Sequence, residues 1–147
     1  MALKYFCAAV LALLVCCFVF ANAIGAEAGL SERYLVYIGT YTGAKSRGIY
    51  SYSYQTSAGK FDSMGLAAES INPSFIVRDP HHHVLYAVNE RGGPPPIDGT
   101  TPTGSVSTFA IDLHTGQLKF LNKISSAGRT PAHLVIDETG KSLFVAN

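Results

Sequence analysis

Asn72-Pro73-Ser74-Phe75-Ile76-Val77-Arg78-Asp79 returns later in the chain as Thr130-Pro131-Ala132-His133-Leu134-Val135-Ile136-Asp137. A recurrence at fixed spacing points to a repeat architecture rather than to a single irregular domain. Further along, Leu85-Tyr86-Ala87-Val88-Asn89 returns as Leu143-Phe144-Val145-Ala146-Asn147 with the same spacing, while Tyr52, Gly59 and Phe61 find Phe109, Gly116 and Leu118 with a spacing shorter by one. A slippage of one residue is what a loop insertion produces.

Each copy reads as four short strands, because alternating or wholly apolar runs are bounded by turn formers. Phe75 to Arg78 and Leu134 to Ile136 are short apolar runs that need cover on both faces and belong innermost. Val84 to Asn89 and Ser142 to Asn147 follow, after turns at Asp79-Pro80 and at Glu138-Thr139-Gly140-Lys141. Gly48 to Tyr54 and Ser105 to Ile111 alternate as a half-buried third strand does, and Lys60 to Ala67 and Gln117 to Ile124 complete the units as outer edges. Four strands repeating at about 50 to 60 residues are the signature of propeller blades, so an all-β propeller of four-stranded antiparallel blades is expected. The run Tyr34 to Thr40 matches a second strand, and Asn147 stands in mid-strand. Residues 34–147 are therefore expected to hold strands two to four of one blade, one whole blade, and two strands of a third. On this reading the chain is the N-terminal part of a propeller truncated in mid-blade.

With 48% hydrophobic and 14% charged residues the chain is not a disordered polymer, and plentiful Tyr, Phe and Gly suit short strands with tight turns. The formal charge is +1 and no Lys/Arg cluster is present, so nucleic acid is not expected as a partner. Lys4, the apolar run Tyr5 to Phe20 and Ala21-Asn22-Ala23 form a signal-peptide pattern over residues 1–23, followed by a lead-in at 24–33. The run is shorter than a bilayer-spanning helix needs, which predicts export to a periplasmic or extracellular space with no stable membrane span after cleavage. Cys7, Cys16 and Cys17 all lie in that leader, so the mature chain carries no thiol for disulfides, nucleophilic catalysis or metal binding. Val15 stands before Cys16, where a lipoprotein would need a small residue.

With these residues in view, the chain resembles the lactonase family of seven-bladed β-propellers. The resemblance is carried by Tyr37-Ile38-Gly39-Thr40-Tyr41-Thr42, by Asp137-Glu138-Thr139-Gly140-Lys141-Ser142-Leu143-Phe144-Val145-Ala146-Asn147, by Leu85 to Glu90 and by Gly128-Arg129-Thr130-Pro131-Ala132-His133. The family is known for opening 6-phosphogluconolactone to the acid, and the related carboxy-muconate cyclases share its fold. The resemblance implies a small sugar lactone as substrate, hydrolysed without a cofactor. Two alternatives stay open: a non-catalytic exported propeller that binds a ligand or protein, and a cyclase-like isomerase. Export favours an unphosphorylated lactone, because a phosphorylated one belongs to the cytosol.

Three residues are candidates for the site. His133 stands where the preceding copy has Phe75, so an apolar position beside the expected central channel has become polar, and a neutral imidazole suits activation of water. A histidine tying two blades through a hydrogen bond is the structural alternative. Arg129, four residues earlier, could hold a phosphate, a carboxylate or a developing oxyanion, or could be a solvated loop charge. Glu90 could orient His133 or bind sugar hydroxyls, or could form an exposed pair with Arg91. His81-His82-His83 aligns with Thr139, Gly140 and Lys141 at a hairpin tip, and three consecutive extended residues do not converge on one ion, so no metal is expected there. The Gly- and Pro-rich segment 92–104 lies inside a repeat and reads as a long loop over one mouth of the channel.

Overall fold

The computed structural model describes residues 32–90 and 104–147. The expected signal peptide at 1–23, most of the lead-in at 24–33 and the long loop at 92–104 apart from Gly104 lie outside these residues, as does Arg91.

The described residues form three antiparallel sheets. The first joins β1 (Arg33–Gly39), β2 (Gly48–Gln55) and β3 (Lys60–Glu69) in chain order. β4 (Ile76–Arg78), β5 (Val84–Asn89), β6 (Ser105–Ile111) and β7 (Leu118–Ser125) follow one another across the second. The third pairs β8 (His133–Ile136) with β9 (Leu143–Ala146). This is the three, four and two strand division that the repeat predicts, and the meander order within each sheet is that of a propeller blade. The two innermost strands differ at their starts. β4 begins one residue after Phe75, whereas β8 takes in His133.

The sheets are held face to face by two apolar clusters. Ile49 and Ala67 of the first sheet pack with Leu85, Ala87, Phe109, Ile111 and Leu118 of the second. On the other side Val88 and Val106 enclose Leu134 of the third sheet. Removing each large side chain such as Phe109 or Leu134 from water contributes about 1.5–3 kcal/mol, and these clusters fix the order of the sheets.

In β2 the alternation expected from Tyr50-Ser51-Tyr52-Ser53-Tyr54 is present, but the serines take the buried side. Ser51 and Ser53 stand opposite Tyr37 and Leu35 on the face turned to the second sheet, while Tyr50, Tyr52 and Tyr54 share the other face with Ile38, Val36 and Tyr34. Small side chains there let the second sheet approach; an alanine Cβ on Gly116 would already stand 3.3 Å from the Ser51 hydroxyl. The expected double cover of the innermost strands is present in β4, where Ile76 packs on the first cluster and Val77 on the second, whereas in β8 Leu134 is buried and Val135 is half exposed.

The turns between β4 and β5 and between β8 and β9 use one device. The carboxylate of Asp79 accepts the backbone N–H groups of His81 and His82, and that of Asp137 accepts those of Lys141 and Ser142. Each Asp also donates its own N–H to the first residue of the returning segment, Val84 in one turn and Ser142 in the other. An acidic residue that satisfies turn amides in this way replaces several hydrogen bonds that the backbone cannot make for itself.

Candidate functional site

β4 and β8 start, and β5 and β9 end, at one mouth of the stacked sheets. The backbone N–H of Val88 donates to Phe75, and that of Ala132 donates to Ala146, so the entering segment is tied to the second strand at this end of both sheets. Each innermost strand is reached through a left-handed residue before proline, Asn72 with φ 42° and Thr130 with φ 49°. Such φ values are costly for residues with a Cβ, Thr above all. The recurrence of the conformation one repeat apart shows that this mouth is built around a fixed, sharp reversal of the chain.

Glu90 sits directly after β5. Its Oε2 accepts the phenol of Tyr41 at 2.8 Å and the hydroxyl of Ser74 at 2.6 Å. The main chain is held as firmly, since Glu90 N–H donates to the Asn72 carbonyl at 3.1 Å and the Asn72 side-chain amide donates to the Glu90 carbonyl at 2.9 Å. The other end of the Asn72 amide accepts the N–H and the hydroxyl of Thr42, so one residue ties the first sheet to the second. The hydrogen bond to the Glu90 carboxylate, and then its negative charge, raise the Tyr41 pKa above the ordinary phenol value. Both of these contacts fall on Oε2.

His133 opens β8 and is exposed, with its ring against that of Phe75 at a centroid distance of 4.2 Å and an angle of 45°. Its partner is thus the residue that occupies its own place in the preceding repeat. Ser74 binds Glu90 and the adjacent Phe75 touches His133, so the structure sets these two candidates against adjacent residues of the segment that leads into β4. The expected orientation of His133 by Glu90 is not what Oε2 does, because that oxygen is taken by Tyr41 and Ser74. Arg129 is exposed on the loop between β7 and β8. That loop is pinned to the start of β6 by Gly104 N–H to Gly128 and Ser126 N–H to Gly104, which places Arg129 at the same mouth. The expected pairing of Glu90 with Arg91 falls outside the described residues.

His81, His82 and His83 form the exposed bend between β4 and β5 at the opposite mouth. His81 Nε2 hydrogen-bonds the Glu138 carbonyl and must be its donor, and His82 Nδ1 lies 3.2 Å from Asp79. Among the described residues no group of three His, Cys, Asp or Glu side chains is arranged to hold a metal ion.

Sequence reasoning missed the residues that build the mouth. Asn89 is buried, its amide donating to Ser70 and to the Ile71 carbonyl and accepting from Ser107. Asn147, one repeat later, likewise donates to the Ser126 carbonyl and accepts from the Ser126 hydroxyl. The signal was present as an asparagine at the end of both second strands, where a strand interior disfavours it. Tyr41, Asn72 and Ser74 gave no such signal, since their common target, Glu90, is brought to them only by the packing of two sheets.

Residues 35–147 match the family described as "Lactonase, 7-bladed beta-propeller". A 6-phosphogluconolactonase of Bacillus subtilis (strain 168) is 30% identical over 115 residues, 78% of this chain and 30% of that protein. A second protein of that name, from Formosa agariphila, is 32% identical over 114 residues, 76% of this chain and 30% of its own length. Among solved structures, the periplasmic gluconolactonase of Pseudomonas aeruginosa superimposes with a TM-score of 0.67 at 27% identity, over 79% of this chain and 31% of that one. The chain thus spans about 30% of the length of the curated relatives it matches.

Proposed function

Because this chain belongs to the lactonase family of seven-bladed β-propellers, we propose that it forms part of an enzyme that hydrolyses a sugar lactone to the aldonic acid. The observation that carries this reading is the gathering of Glu90, Arg129 and His133 at one mouth of the stacked sheets, in a chain whose relatives are named for that reaction. In this mechanism the imidazole of His133 takes a proton from a water molecule as its oxygen attacks the lactone carbonyl carbon. The guanidinium of Arg129 stabilises the charge that develops on the carbonyl oxygen. The tetrahedral intermediate then collapses with cleavage of the ring C–O bond, and the imidazolium returns its proton to the departing alkoxide. Glu90, fixed through Oε2, offers its carboxylate to the hydroxyl groups of the sugar. An exported protein meets unphosphorylated lactones, and the likeness to a periplasmic gluconolactonase supports that substrate over its 6-phosphate.

The test compares hydrolysis of δ-gluconolactone and its 6-phosphate by the full-length protein and by its His133→Ala variant. Loss of roughly a hundred- to ten-thousandfold in rate is expected of a removed general base. Equal rates for the two proteins would take His133 out of the reaction, and hydrolysis of neither lactone would remove the reaction itself.

A further inference from the structure

Between the outer strands of the first two sheets lies a groove of about 370 Å³, with Arg47 and Glu69 on one bank and Ser107, Phe109, Phe120 and Lys123 on the other. A volume of this size is within the range of small-molecule sites. Blades diverge as they leave the propeller axis, so neighbouring sheets need bulky side chains toward the rim if the gap is to close.

The repeat explains why this gap stays open. Tyr50 is paired with Leu66 across β2 and β3, and the equivalent pair one repeat later, across β6 and β7, is Ser107 with Lys123. Both pairs lie on the side of their sheet turned away from the following one. In the second sheet, therefore, a large apolar pair has given way to a hydroxyl and an ammonium group. The hydrogen bond to Asn89 accounts for Ser107, but it gives no reason for the exposed ammonium group of Lys123 opposite it.

The groups exposed by the exchange form a consistent set. On the floor, Ser107 donates its hydroxyl proton to Asn89 at 2.6 Å and keeps its lone pairs, while Ser70 accepts from Asn89 at 2.7 Å and keeps its proton. One wall is Phe120, exposed and set edge-on to Phe109 with centroids 5.9 Å apart, so that a ring face is open to C–H groups. At the rim the charges of Arg47 and Glu69 neutralise each other in an ion pair. Lys123 makes no ion pair among the described residues, and the groove is left with one positive charge.

We propose that this groove is a second small-molecule site, which takes a polyhydroxylated monoanion of the sugar-acid type. Hydroxyl groups meet the Ser70 and Ser107 floor, the carbon skeleton lies on Phe120, and the carboxylate meets Lys123. Thr42 and Asn89 line the groove on the side of the mouth while His133 is not among its described lining residues, and its occupancy does not depend on whether the protein hydrolyses lactones.

The test is a titration of the purified protein with D-gluconate, followed by calorimetry or by backbone amide shifts, with D-glucose and acetate as probes of the hydroxyl and charge contributions. Gluconate is expected to bind more tightly than either. Lys123→Ala should weaken it about tenfold or more, a loss of about 1.4 kcal/mol, and His133→Ala should leave it unchanged. The double variant Ser107→Tyr with Lys123→Leu restores the pair found in the first sheet; it should fill the groove and abolish binding while the protein still unfolds cooperatively. No gluconate binding, binding unaltered in the double variant, or glucose bound as tightly as gluconate would each overturn the proposal.

Discussion

The ring of His133 packs on the ring of Phe75, centroids 4.2 Å apart, so that a histidine touches the phenylalanine it replaces one repeat earlier. The contact joins the starts of two innermost strands, and it makes the chemistry of that position separable from its packing. His133→Phe should recreate an aromatic pair and leave the thermal unfolding midpoint unchanged. Lactone hydrolysis should fall by roughly a hundredfold or more, the contribution of a positioned general base. Thermal unfolding and steady-state rates on the same preparation check both parts.

Tyr41 reports on Glu90. The carboxylate accepts the Tyr41 hydroxyl and raises its pKa, so the phenol should titrate above ordinary tyrosines. In Glu90→Gln the charge is gone, and the Tyr41 titration should move back toward 10.0, the ordinary value. NMR of ring-labelled tyrosine across alkaline pH follows this directly, and an unchanged Tyr41 curve would show that the pair does not form in solution.

Acid stability should depend on Asp79. The backbone N–H of His81 above all, with the N–H and ring of His82, holds its carboxyl below the ordinary 3.8. A folded value below the unfolded one means that the stabilisation is complete above the unfolded value and is lost as pH falls through the folded one. Asp79→Asn should flatten the acid limb of the stability curve, and Asp137→Asn should act in the same sense because its carboxyl is lowered in the same way, by Thr139 and the N–H groups of its turn. Denaturant midpoints followed from neutral pH down into the acid range measure the slope.

Phe109 is 1% exposed, lies in the cluster between the first two sheets and meets Phe120 edge-on. Phe109→Ala should cost about 3–5 kcal/mol. Phe120→Ala, at an exposed ring, should cost far less. Equal losses in chemical denaturation would mean that the outer strands, rather than the cluster, carry the interface.

His133 was legible because the repeat supplies its own control: the residue in the same place one repeat earlier is apolar, and a change of chemistry at an equivalent position stands out. Arg129 was legible only as a charge near that place. What Glu90 does was not, because Tyr41, Ser74 and Asn72 reach it from 49, 16 and 18 residues away along the chain. The side that β2 buries was equally silent. Tyr and Ser alternate there whichever face meets the core, and only the neighbouring sheet selects the serines.

Pattern along the chain was enough to define the unit: four strands recurring at a nearly constant spacing, their order within a sheet, the turns at Asp79-Pro80 and at Glu138 to Lys141, and the histidine that departs from the pattern. These are local properties, fixed by side-chain alternation, turn chemistry and recurrence. It took the packed sheets to settle which faces are buried, which hydroxyls converge on Glu90, and that the Ser107–Lys123 pair opens a groove where Tyr50 and Leu66 would close one. Those depend on how two sheets lie against each other, and distance across a sheet interface is not written in distance along the chain.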